Sequence, residues 1–411
     1  MTLVQHLKRL RALCAVAALG STVQAAKALN VSQSSVTRAI QEAEATLHAT
    51  LFHRLGRGMQ LTQQGQPLAL RATRALSYLA QVDLGDNKRG SAQAASWMAS
   101  RFALGVGHRH MAVLLSLAAS SSQLRTAHRL AVTQPAVQQS LAQLEHLAGK
   151  ALFLRTRNGL RLTEWGDAAL KAVKLAVAEL QQADEELALQ RGATQGRLVI
   201  GTLPFSTVLL LPEAVDQVHQ AHPGLSLTII DGTYDALIHQ LRHADIDLML
   251  GALRPELPGP DLQQEQLFVD GLAVVARAEH PLARQAGLSW QDLRDQRWIM
   301  PMPNTPAEAA FEQALREAGV PNPPSPLRVN SALMMQALLA QSDRLAMMSP
   351  RQIQRELKAG LLVVLDVPVQ HEPRTVGVIT RADYLPTPGA QHMLDAFRAL
   401  GRSINAQTVV E

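Results

Sequence analysis

The sequence predicts an α/β multidomain protein in which two copies of a small helical domain precede a larger α/β domain. The first observation behind this prediction is an internal repeat. The stretch from Ser32 to Gly65 recurs, without a gap, from Thr133 to Gly166, at an offset of 101 residues. The second observation is a change of pattern after Gly196, where short apolar runs begin to alternate with helical segments. The repeat is interpreted first, because it decides the architecture of the rest.

The two copies, called here the first and second repeat, agree at ten positions of this stretch. These positions are Gln33, Val36, Glu44, Leu51, Phe52, Arg54, Gly58, Leu61, Thr62 and Gly65, which correspond to Gln134, Val137, Glu145, Leu152, Phe153, Arg155, Gly159, Leu162, Thr163 and Gly166. The agreement includes apolar, glycine and charged positions, so we expect both repeats to adopt the same local fold.

Each repeat predicts two helices joined by a tight turn. In the first repeat a short helix with a small-residue face precedes Ser32, and Val31 is expected to fill the turn. Ser32 suits an N-cap, because its hydroxyl can accept a hydrogen bond from a backbone N–H of the next helix. Val36 and Ile40 place one apolar stripe on that helix, so its polar face is expected to point outward.

A short β-hairpin, or wing, is expected after the second helix. Its strands are predicted at Leu51–Phe52 and Met59–Leu61, with a turn at Gly56–Gly58, and Thr62 is expected to cap the following helix. The major groove of DNA admits a helix with such a polar face, and short polar side chains near its N-terminus can reach base edges.

Both repeats resemble the winged helix-turn-helix head of the LysR-type transcriptional regulators. The pattern of that family runs Ser/Thr-Gln-Pro/Ser-Ala/Ser-Val, then Leu-Phe-x-Arg, then Leu-Thr-x-x-Gly, and each repeat contains all three parts. The resemblance covers residues 5–82 and again 109–404, since the C-terminal part also fits the effector domain of that family. The usual architecture has one head, so the extra N-terminal copy is a departure from it.

The polar helix faces and the wing arginines are the candidate DNA-binding residues. In the first repeat they are Gln33, Ser34, Ser35, Thr37, Arg38, Arg54 and Arg57. In the second repeat they are Gln134, Pro135, Gln138, Gln139, Arg155 and Arg157. Pro135 lies in the first turn of its helix, where a missing N–H costs no intrahelical hydrogen bond.

The net charge of +5 conceals a segregation of charge along the chain. Residues 1–74 carry a balance of +7 and residues 106–175 a balance of +6, whereas residues 176–411 carry −9. Because neutralised phosphates supply most of the non-specific affinity for nucleic acid, two basic repeats beside an acidic remainder indicate DNA binding by the repeats. Solvated surface charge is the alternative, and it explains the segregation less well.

Turn signals and helical stripes predict the domain boundaries. We expect a first winged domain with its trailing helix at 1–84, a linker at 85–108, a second winged domain at 109–167, a linker or dimerisation helix at 168–195, and an effector domain at 196–404. The trailing helix carries a weak, alanine-rich stripe that packing within its own chain would explain. The stripe from Leu170 to Leu187 is more apolar, so we expect the main pairing of helices between chains there.

Beyond Gly196 the alternation of strands and helices predicts parallel α/β sheets. The expected strands are Leu198–Ile200, Leu225–Ile230, Ile246–Leu250, Leu272–Val275, Trp298–Met300, Leu345–Met348, Leu361–Leu365 and Val376–Ile379, with helices at Leu209–Ala221, Ala307–Ala318 and Ala332–Gln341. The resemblance implies two subdomains of periplasmic-binding-protein type, at about 196–268 with 369–404 and at about 269–368, crossed by two strands near Val269 and Pro368.

Ligands of such sheets bind in the crevice beyond the carboxyl ends of the strands. The candidate ligand-binding residues lie in loops that follow strands or open helices: Pro204, Phe205, Ser206, Thr207, Thr233, Arg254, Asn304, Thr305 and Ser349. Backbone N–H groups at the start of a helix suit a carboxylate or another anion. The alternative is that Ser206 and Thr305 are only N-caps, as most such residues are.

Several classes of function find no support in the sequence. The single cysteine, Cys14, excludes a disulfide framework within the chain and a cysteine-based zinc site, and a buried structural thiol is expected. Nucleophile-elbow, zincin, Walker and dinucleotide-binding motifs are absent. Asp245 and Asp247 are expected at a solvated strand edge rather than as catalytic acids. We therefore expect no enzyme, no cofactor and no metal.

The N-terminal segment has some features of a secretion signal, because a basic stretch precedes the apolar run Ala12–Leu19. The same segment recurs as Val113–Ser120 in the middle of the chain, which favours a helix of the fold instead. No apolar run approaches the roughly 20 residues needed to span a bilayer. We therefore expect a cytoplasmic protein.

Together these features predict a regulator that binds double-stranded DNA sequence-specifically, responds to a small, anionic effector and forms a homodimer or homotetramer. Two alternatives stay open. In the first alternative, only one head reads DNA and the other makes protein contacts. In the second, the chain is a small-molecule binding protein whose heads merely dimerise. The segregated charge and the polar helix faces favour a DNA-binding regulator.

Overall fold

The computed structural model describes residues 3–56, 58–84, 96–190, 196–203, 207–324, 326–369 and 373–408. The chain forms two compact units, the first from residues 1–196 with 243–245 and the second from residues 197–242 with 246–411. Residues 85–95 of the predicted linker and residues 191–195 at the end of the predicted linker or dimerisation helix lie outside the described residues.

The first unit contains one order of elements twice. The first repeat comprises a 3-10 helix (Leu3–His6), α1 (Leu7–Leu19), α2 (Thr22–Ala28), α3 (Gln33–Leu47), β1 (Phe52–Leu55), β2 (Gly58–Leu61) and α4 (Gly65–Leu84). A 3-10 helix (Ser96–Ala99) and α5 (Arg101–Gly105) follow. The second repeat comprises α6 (His108–Ser120), α7 (Gln123–Arg129), α8 (Gln134–Ala148), β3 (Phe153–Thr156), β4 (Gly159–Leu162) and α9 (Glu164–Gln190). From α6 to β4, every boundary lies 101 residues beyond its counterpart in α1 to β2.

Side-chain caps start these helices, as the sequence predicted. The hydroxyl of Ser32 accepts a hydrogen bond from the backbone N–H of Ser35 at 3.2 Å, and Thr133 caps α8 in the same way. The hydroxyl of Thr62 accepts from the N–H of Gly65 at 3.0 Å, which confirms its predicted role as the cap of the helix after the wing.

A glutamate of α3 and its counterpart in α8 tie these helices to the wings. Glu44 Oε1 accepts hydrogen bonds from the backbone N–H groups of Leu51 at 2.8 Å and Phe52 at 3.3 Å. Glu145 makes the same pair of bonds in the second repeat, at 2.8 and 3.4 Å. Leu51 and Phe52 are buried, so their N–H groups need a partner inside the protein. The repeated glutamate therefore has a structural role.

The glycine that begins the second strand of each wing is required by the backbone. Gly58 has a φ of 125° and Gly159 a φ of 114°, a region that residues with a side chain rarely adopt. A Cβ on Gly58 would also lie 2.8 Å from the carbonyl oxygen of Gly20, which accepts a hydrogen bond from the N–H of Met59 at 2.9 Å. The wing is thereby fixed against the end of α1.

The helix that resembles a secretion signal lies in the core of the first repeat. Leu10, Leu13 and Cys14 of α1 are all buried. Burial raises the pKa of the Cys14 thiol to about 12, so the thiol stays protonated at neutral pH. This agrees with the expectation of a structural thiol.

Two local expectations for the first repeat are wrong. Val31 is 45% exposed, because the turn between α2 and α3 is closed by a backbone hydrogen bond from Val31 N–H to Ala26 O at 3.0 Å and not by its side chain. The first wing strand also begins and ends later than predicted, so Arg54 lies within β1 rather than after it.

The long helices α4 and α9 pack against each other in an antiparallel pair. Arg71 contacts Gln182 while Arg74 contacts Glu179, so residue numbers rise along α4 as they fall along α9. The apolar stripe predicted on α9, which includes Leu180, is buried within this chain. Pairing of α9 with a second chain stays a prediction.

The second unit is built on two five-stranded sheets. Its elements are β5 (Gly196–Thr202), α10 (Thr207–Ala221), β6 (Leu225–Asp231), α11 (Tyr234–Arg242), β7 (Leu248–Ala252), β8 (Leu262–Asp270), β9 (Ala273–Arg277), β10 (Arg297–Met300), α12 (Pro306–Glu317), β11 (Leu327–Arg328), α13 (Ala332–Gln341), β12 (Arg344–Met348), a 3-10 helix (Pro350–Ile353), α14 (Gln354–Lys358), β13 (Leu362–Val364), β14 (Arg374–Arg381) and α15 (Pro388–Thr408).

The strand orders are β6-β5-β7-β14-β8 and β11-β10-β12-β9-β13. The expectation of parallel sheets is met only in part, because both sheets are mixed. β5 pairs with β7 and β10 with β12 in parallel, but β14 is antiparallel to β7 and β8, and β9 is antiparallel to β12 and β13. The chain leaves the first sheet after β8 and returns to it at β14.

Two features of the first sheet differ from the sequence expectations. The strand β8 contains Val269, near which the resemblance implied a crossing strand, but it was not among the strands predicted from apolar runs, because its sequence LQQEQLFVD is mostly polar and its place at the sheet edge leaves those side chains partly in solvent. Asp245 is exposed, but Asp247 is buried and accepts a hydrogen bond from the N–H of Val199 at 2.9 Å. Burial raises the pKa of Asp247, so this carboxyl is not part of a solvated edge.

None of the helices in the described part of the chain combines the length and the apolar character that a membrane span requires.

We expect Glu44→Ala to lower the free energy of unfolding by about 2 kcal/mol, because two buried N–H groups lose their acceptor. Thermal unfolding of the full chain measures the loss as a lower midpoint. Gln41→Ala is the matched control, since Gln41 is exposed on the same helix. An equal loss in both variants would contradict the role assigned to Glu44.

Candidate functional site

The exposed face of α3 carries polar side chains close to the helix N-terminus. Gln33, Ser34, Ser35 and Arg38 are exposed, and Thr37 is half-buried. These residues share one end of the helix, as their spacing predicted.

Arg38 is the cation of this face. Its side chain is 81% exposed and its Nε donates to Glu42 Oε1 at 2.9 Å, one turn further along the helix. An ion pair so exposed is weak, so the guanidinium can exchange this carboxylate for another acceptor at little cost.

The corresponding face of α8 is polar but carries no charge at these positions. Gln134, Pro135, Gln138 and Gln139 are exposed. Pro135 lies in the first turn after the Thr133 cap, where the fixed φ of proline fits a helix. The two faces thus share a framework and differ in the groups they offer.

The wings add cations beside these faces. Arg54 lies in β1 and Arg155 in β3, and both are exposed. Arg157 is exposed at the turn between β3 and β4, whereas Arg57 lies outside the described residues. In the first repeat, Arg54 and Gln33 line one groove of about 370 Å³ between the helices and the wing.

The second unit contains a larger cleft, of about 530 Å³. The loops after β5, β6 and β7 line one part of it, and residues at or beside β9, β10, α12, β11, α13, β12, the following 3-10 helix and β14 line the rest. They are Leu203, Gly232, Thr233, Tyr234, Asp235, Ala252, Arg254, Leu272, Pro301, Met302, Pro303, Asn304, Thr305, Pro306, Ala307, Val329, Asn330, Met335, Met347, Met348, Gln352 and Arg374. Apolar walls with a few polar groups are typical of a small-molecule site.

The structure brings together four of the residues predicted to bind a ligand: Thr233, Arg254, Asn304 and Thr305. Ser349 does not line the cleft. It is fully buried and donates a hydrogen bond to Asp270 at 2.6 Å, so it acts behind the cleft wall.

The remaining predicted ligand residues lie in the loop after β5. Pro204, Phe205 and Ser206 fall outside the described residues. Thr207 is the first residue of α10, and its side chain also falls outside the description.

Two arginines line the cleft in different electrostatic states. Arg374 Nη2 pairs with the buried carboxylate of Asp270 at 2.6 Å, so its charge is compensated. Arg254 stacks on the ring of Tyr234 with its guanidinium carbon 4.9 Å from the centroid. In the described part of the chain, no carboxylate lies within ion-pair distance of Arg254, and burial lowers the pKa of its guanidinium.

Sequence reasoning missed several cleft residues, of which Tyr234, Asp235, Asn330, Gln352 and Arg374 carry polar groups. Tyr234 follows the predicted Thr233 directly and could have been found from that position. Arg374 gave no local signal, because its partner Asp270 lies 104 residues earlier in the chain. Among the described residues, no cluster of His, Cys, Asp and Glu could hold a metal ion.

Comparison with protein families identifies both parts of the chain. Residues 7–66 and 108–167 each match the bacterial regulatory helix-turn-helix proteins of the LysR family, and residues 191–402 match the LysR substrate-binding domain. The chain belongs to the LysR family of transcriptional regulators. The match to the substrate-binding domain covers the cleft, and the two helix-turn-helix matches cover the exposed faces of α3 and α8.

Individual relatives of this LysR-family regulator agree with that assignment. The transcriptional regulator GalR of Pseudomonas putida is 31% identical over 96% of this chain and 96% of its own length. PcaQ of Agrobacterium fabrum is 27% identical over 73% of this chain and 97% of its own length. Full-length OxyR from Pseudomonas aeruginosa has a similar fold, with a TM-score of 0.53 and 22% identity over 71% of this chain and 95% of its own.

The LysR-family chain is therefore a DNA-binding transcriptional regulator with a ligand-binding effector domain. Its relatives are named as regulators and not as enzymes. The architecture is α/β multidomain, with helix-turn-helix elements before a two-sheet domain.

We expect Arg54→Ala and Arg155→Ala each to weaken binding to all DNA sequences and to lower the salt slope by about one, because each removes one phosphate contact. The measurement is DNA affinity at several salt concentrations. Arg294→Ala, an exposed arginine of the second unit, is the control that leaves both quantities unchanged. Wild-type affinity in both wing variants would contradict the assignment of the wings to DNA.

Proposed function

We propose that both repeats are winged helix-turn-helix heads that bind DNA, and that a small anion in the cleft of the second unit controls the regulator. The observation that carries the proposal is the pair of helices α3 and α8, which have the same span and capped start but different exposed polar groups. We propose that the protein acts in the cytoplasm, where the DNA lies, as a homodimer or homotetramer.

Three observations support two functional heads. The helix-turn-helix family match occurs over both repeats, each repeat exposes a wing arginine, and each has a basic balance of charge. The lengths of the relatives agree with this interpretation. GalR aligns with this chain from end to end, whereas nearly all of PcaQ aligns with about three quarters of it. A decayed second copy would not need to keep its wing glycine and its helix cap.

The different faces favour different base preferences. Arginine pairs bidentately with guanine, and glutamine with adenine. The first head offers Arg38 and the second offers Gln138 and Gln139, so the two heads would read unlike sub-sites. A dimer of this chain would then contact four sub-sites and protect a long operator. The rival proposal is that only one head reads DNA and the other makes protein contacts.

The cleft offers an effector two helix N-termini and the guanidinium of Arg254, beside one carboxylate, that of Asp235. The helices α11 and α12 both begin at its lining, and the N-terminus of a helix favours an anion. Arg254 adds a cation that no described carboxylate neutralises by an ion pair. A carboxylate or a similar small anion is therefore the class of effector that this lining fits.

The two cleft threonines contribute mainly through their helices. Thr233 caps α11 by accepting from the N–H of Ala236 at 3.4 Å. The Thr305 hydroxyl accepts from the N–H of Glu308 at 3.1 Å and donates its proton to Met302 O at 2.7 Å, so that proton is already used. We propose that Thr305 orients the first turn of α12, while Arg254 and free backbone N–H groups meet the anion. Ser206 and Thr207, from the loop after β5, stay proposed contacts of the anion.

We expect Arg38→Ala and the double change Gln138→Ala with Gln139→Ala to erase different parts of the protected operator, because each head covers its own sub-site. Nuclease footprints of the full chain measure this. Arg294→Ala, a change of an exposed arginine in the second unit, is the control for general damage. A footprint that is indifferent to Arg38 would favour the rival with a single reading head.

We expect Arg254→Gln to abolish the thermal stabilisation that small carboxylates produce, with DNA affinity unchanged, because the cation of the cleft is lost. Thermal shift with a panel of carboxylates and their neutral amides measures the effect. Arg294→Gln repeats the same change on the exposed surface as a control. Persistent stabilisation in Arg254→Gln, or equal stabilisation by the amides, would place the anion elsewhere.

A further inference from the structure

The pairing of α4 with α9 is organised around a buried cation. Arg71 of α4 is fully buried, and its Nη1 donates to Glu179 Oε2 at 3.0 Å and to Gln182 Oε1 at 2.7 Å. Its Nη2 and Nε donate to Glu186 Oε1 at 2.6 and 3.2 Å. Arg74, one turn later, donates to Glu179 Oε1 at 2.8 Å.

These contacts compensate the positive charge of Arg71, whose burial would otherwise be unfavourable. Burial works to lower the pKa of Arg71, but the hydrogen bonds and negative charges of Glu186 and Glu179 outweigh it and raise that pKa. A buried ion pair is strongly destabilised when one partner is removed, because the other charge is then buried without compensation. The network therefore selects which helix can lie against α4.

The internal repeat shows that the charges of this network are divided between the two helices. The counterpart of Arg71 in α9 is Ala172, and that of Arg74 is Leu175. The counterpart of Glu179 in α4 is Tyr78, and residue 85, the counterpart of Glu186, is a glycine outside the described residues. The cations of the network thus belong to α4 alone and its carboxylates to α9 alone.

In the same antiparallel register, a pair of like helices, either two copies of α4 or two copies of α9, would not place opposite charges beside each other. Two copies of α4 would place Arg71 opposite Gln81 and Arg74 opposite Tyr78, with no carboxylate in either place. Two copies of α9 would place Glu179 opposite Leu175, with no cation. Each like pair would bury uncompensated charge, whereas the unlike pair compensates all of it.

Further hydrogen bonds join the first repeat to the second and to α5, which lies between them in the chain. The N–H of Leu3 donates to Asp184 Oδ2 of α9 at 2.7 Å. Arg11 Nε donates to the carbonyl of Ala103 in α5 at 2.8 Å, and the N–H of Arg101 donates to Asp83 of α4 at 2.7 Å. The first unit is therefore held together by polar contacts at several separate places.

We infer that each chain contains its own pair of heads, in which α4 and α9 of the same chain form the linker-helix pair. The unlike charges of these two helices exclude the pairing of α4 with α4, or of α9 with α9, between chains. This rests on the proposed function of both repeats as DNA-binding heads. One chain then presents two unlike heads in one fixed arrangement and occupies a two-part, asymmetric site. Assembly of two chains uses surfaces other than the apolar stripe of α9.

A cross-link tests whether the pair lies within one chain. In the full-length Arg74→Lys variant, a carbodiimide can join the introduced amine to the facing carboxylate of Glu179 as an amide. We expect the linked peptide in the band of single-chain mass on a denaturing gel. Its occurrence only in the band of double mass would overturn the inference. The same variant with Glu179→Gln is the control in which this link cannot form.

Charge reversal tests whether the network selects the unlike pair. We expect Arg71→Glu, and the double change Glu179→Arg with Glu186→Arg, each to lower the thermal midpoint and to weaken binding to the full operator about tenfold or more. The quadruple change, which combines these substitutions with Arg74→Glu and so reverses all four charges of the network, should regain most of both, because opposite charges face each other again. Unchanged midpoints in the one-sided variants, or a quadruple variant as impaired as they are, would overturn the selection by charge.

The two readouts separate this inference from the proposed function. The cross-link and the thermal midpoint are measured without DNA, so they report on the helix pair even if one head reads no sequence. If footprints show two reading heads but the link joins two chains, the inference alone fails. If the link lies within one chain but only one head protects DNA, the proposed function alone fails.

Discussion

The guanidinium of Arg71 lies between α4 and α9 without contact to solvent, and it bonds to Glu179, Gln182 and Glu186. A charge in such a place is tolerated only when its surroundings supply opposite charge and acceptors in good geometry. This condition fixes the register of the two longest helices of the first unit. Because α4 follows one wing and α9 follows the other, the same register also fixes the two repeats as a pair.

Within each repeat a common framework carries a variable face. Glu44 and Glu145 satisfy the N–H groups at the start of the wings, and Gly58 and Gly159 permit the close approach to the preceding helix. None of these contacts involves the exposed polar side chains of α3 and α8. Their polar groups can therefore differ between the repeats, with Arg38 in one and Gln139 at the corresponding position of the other, without cost to the fold.

The cleft of the second unit shows the same division between structural and available groups. Arg374 has its charge compensated by Asp270, and the Thr305 hydroxyl is used by the backbone of its own helix. Arg254 retains a charge that the described residues do not neutralise by an ion pair. Polar lining residues are thus not equivalent, and hydrogen bonding already present decides which of them can meet a ligand.

The sequence by itself determined the repeat, the caps at Ser32 and Thr62, and the alternation of strands and helices in the second unit, because each of these depends on neighbouring residues and on regular spacing. Prediction was less successful where partners lie far apart in the chain. The polar strand β8 exists because β14 pairs with it, and Asp247 is buried because β5 supplies the N–H of Val199. The pairing of α4 with α9 likewise depends on contacts between residues more than one hundred positions apart, such as Arg71 and Glu179. Only the tertiary structure could decide these features, since the free energy of a buried charge or an edge strand depends on what the rest of the chain brings beside it.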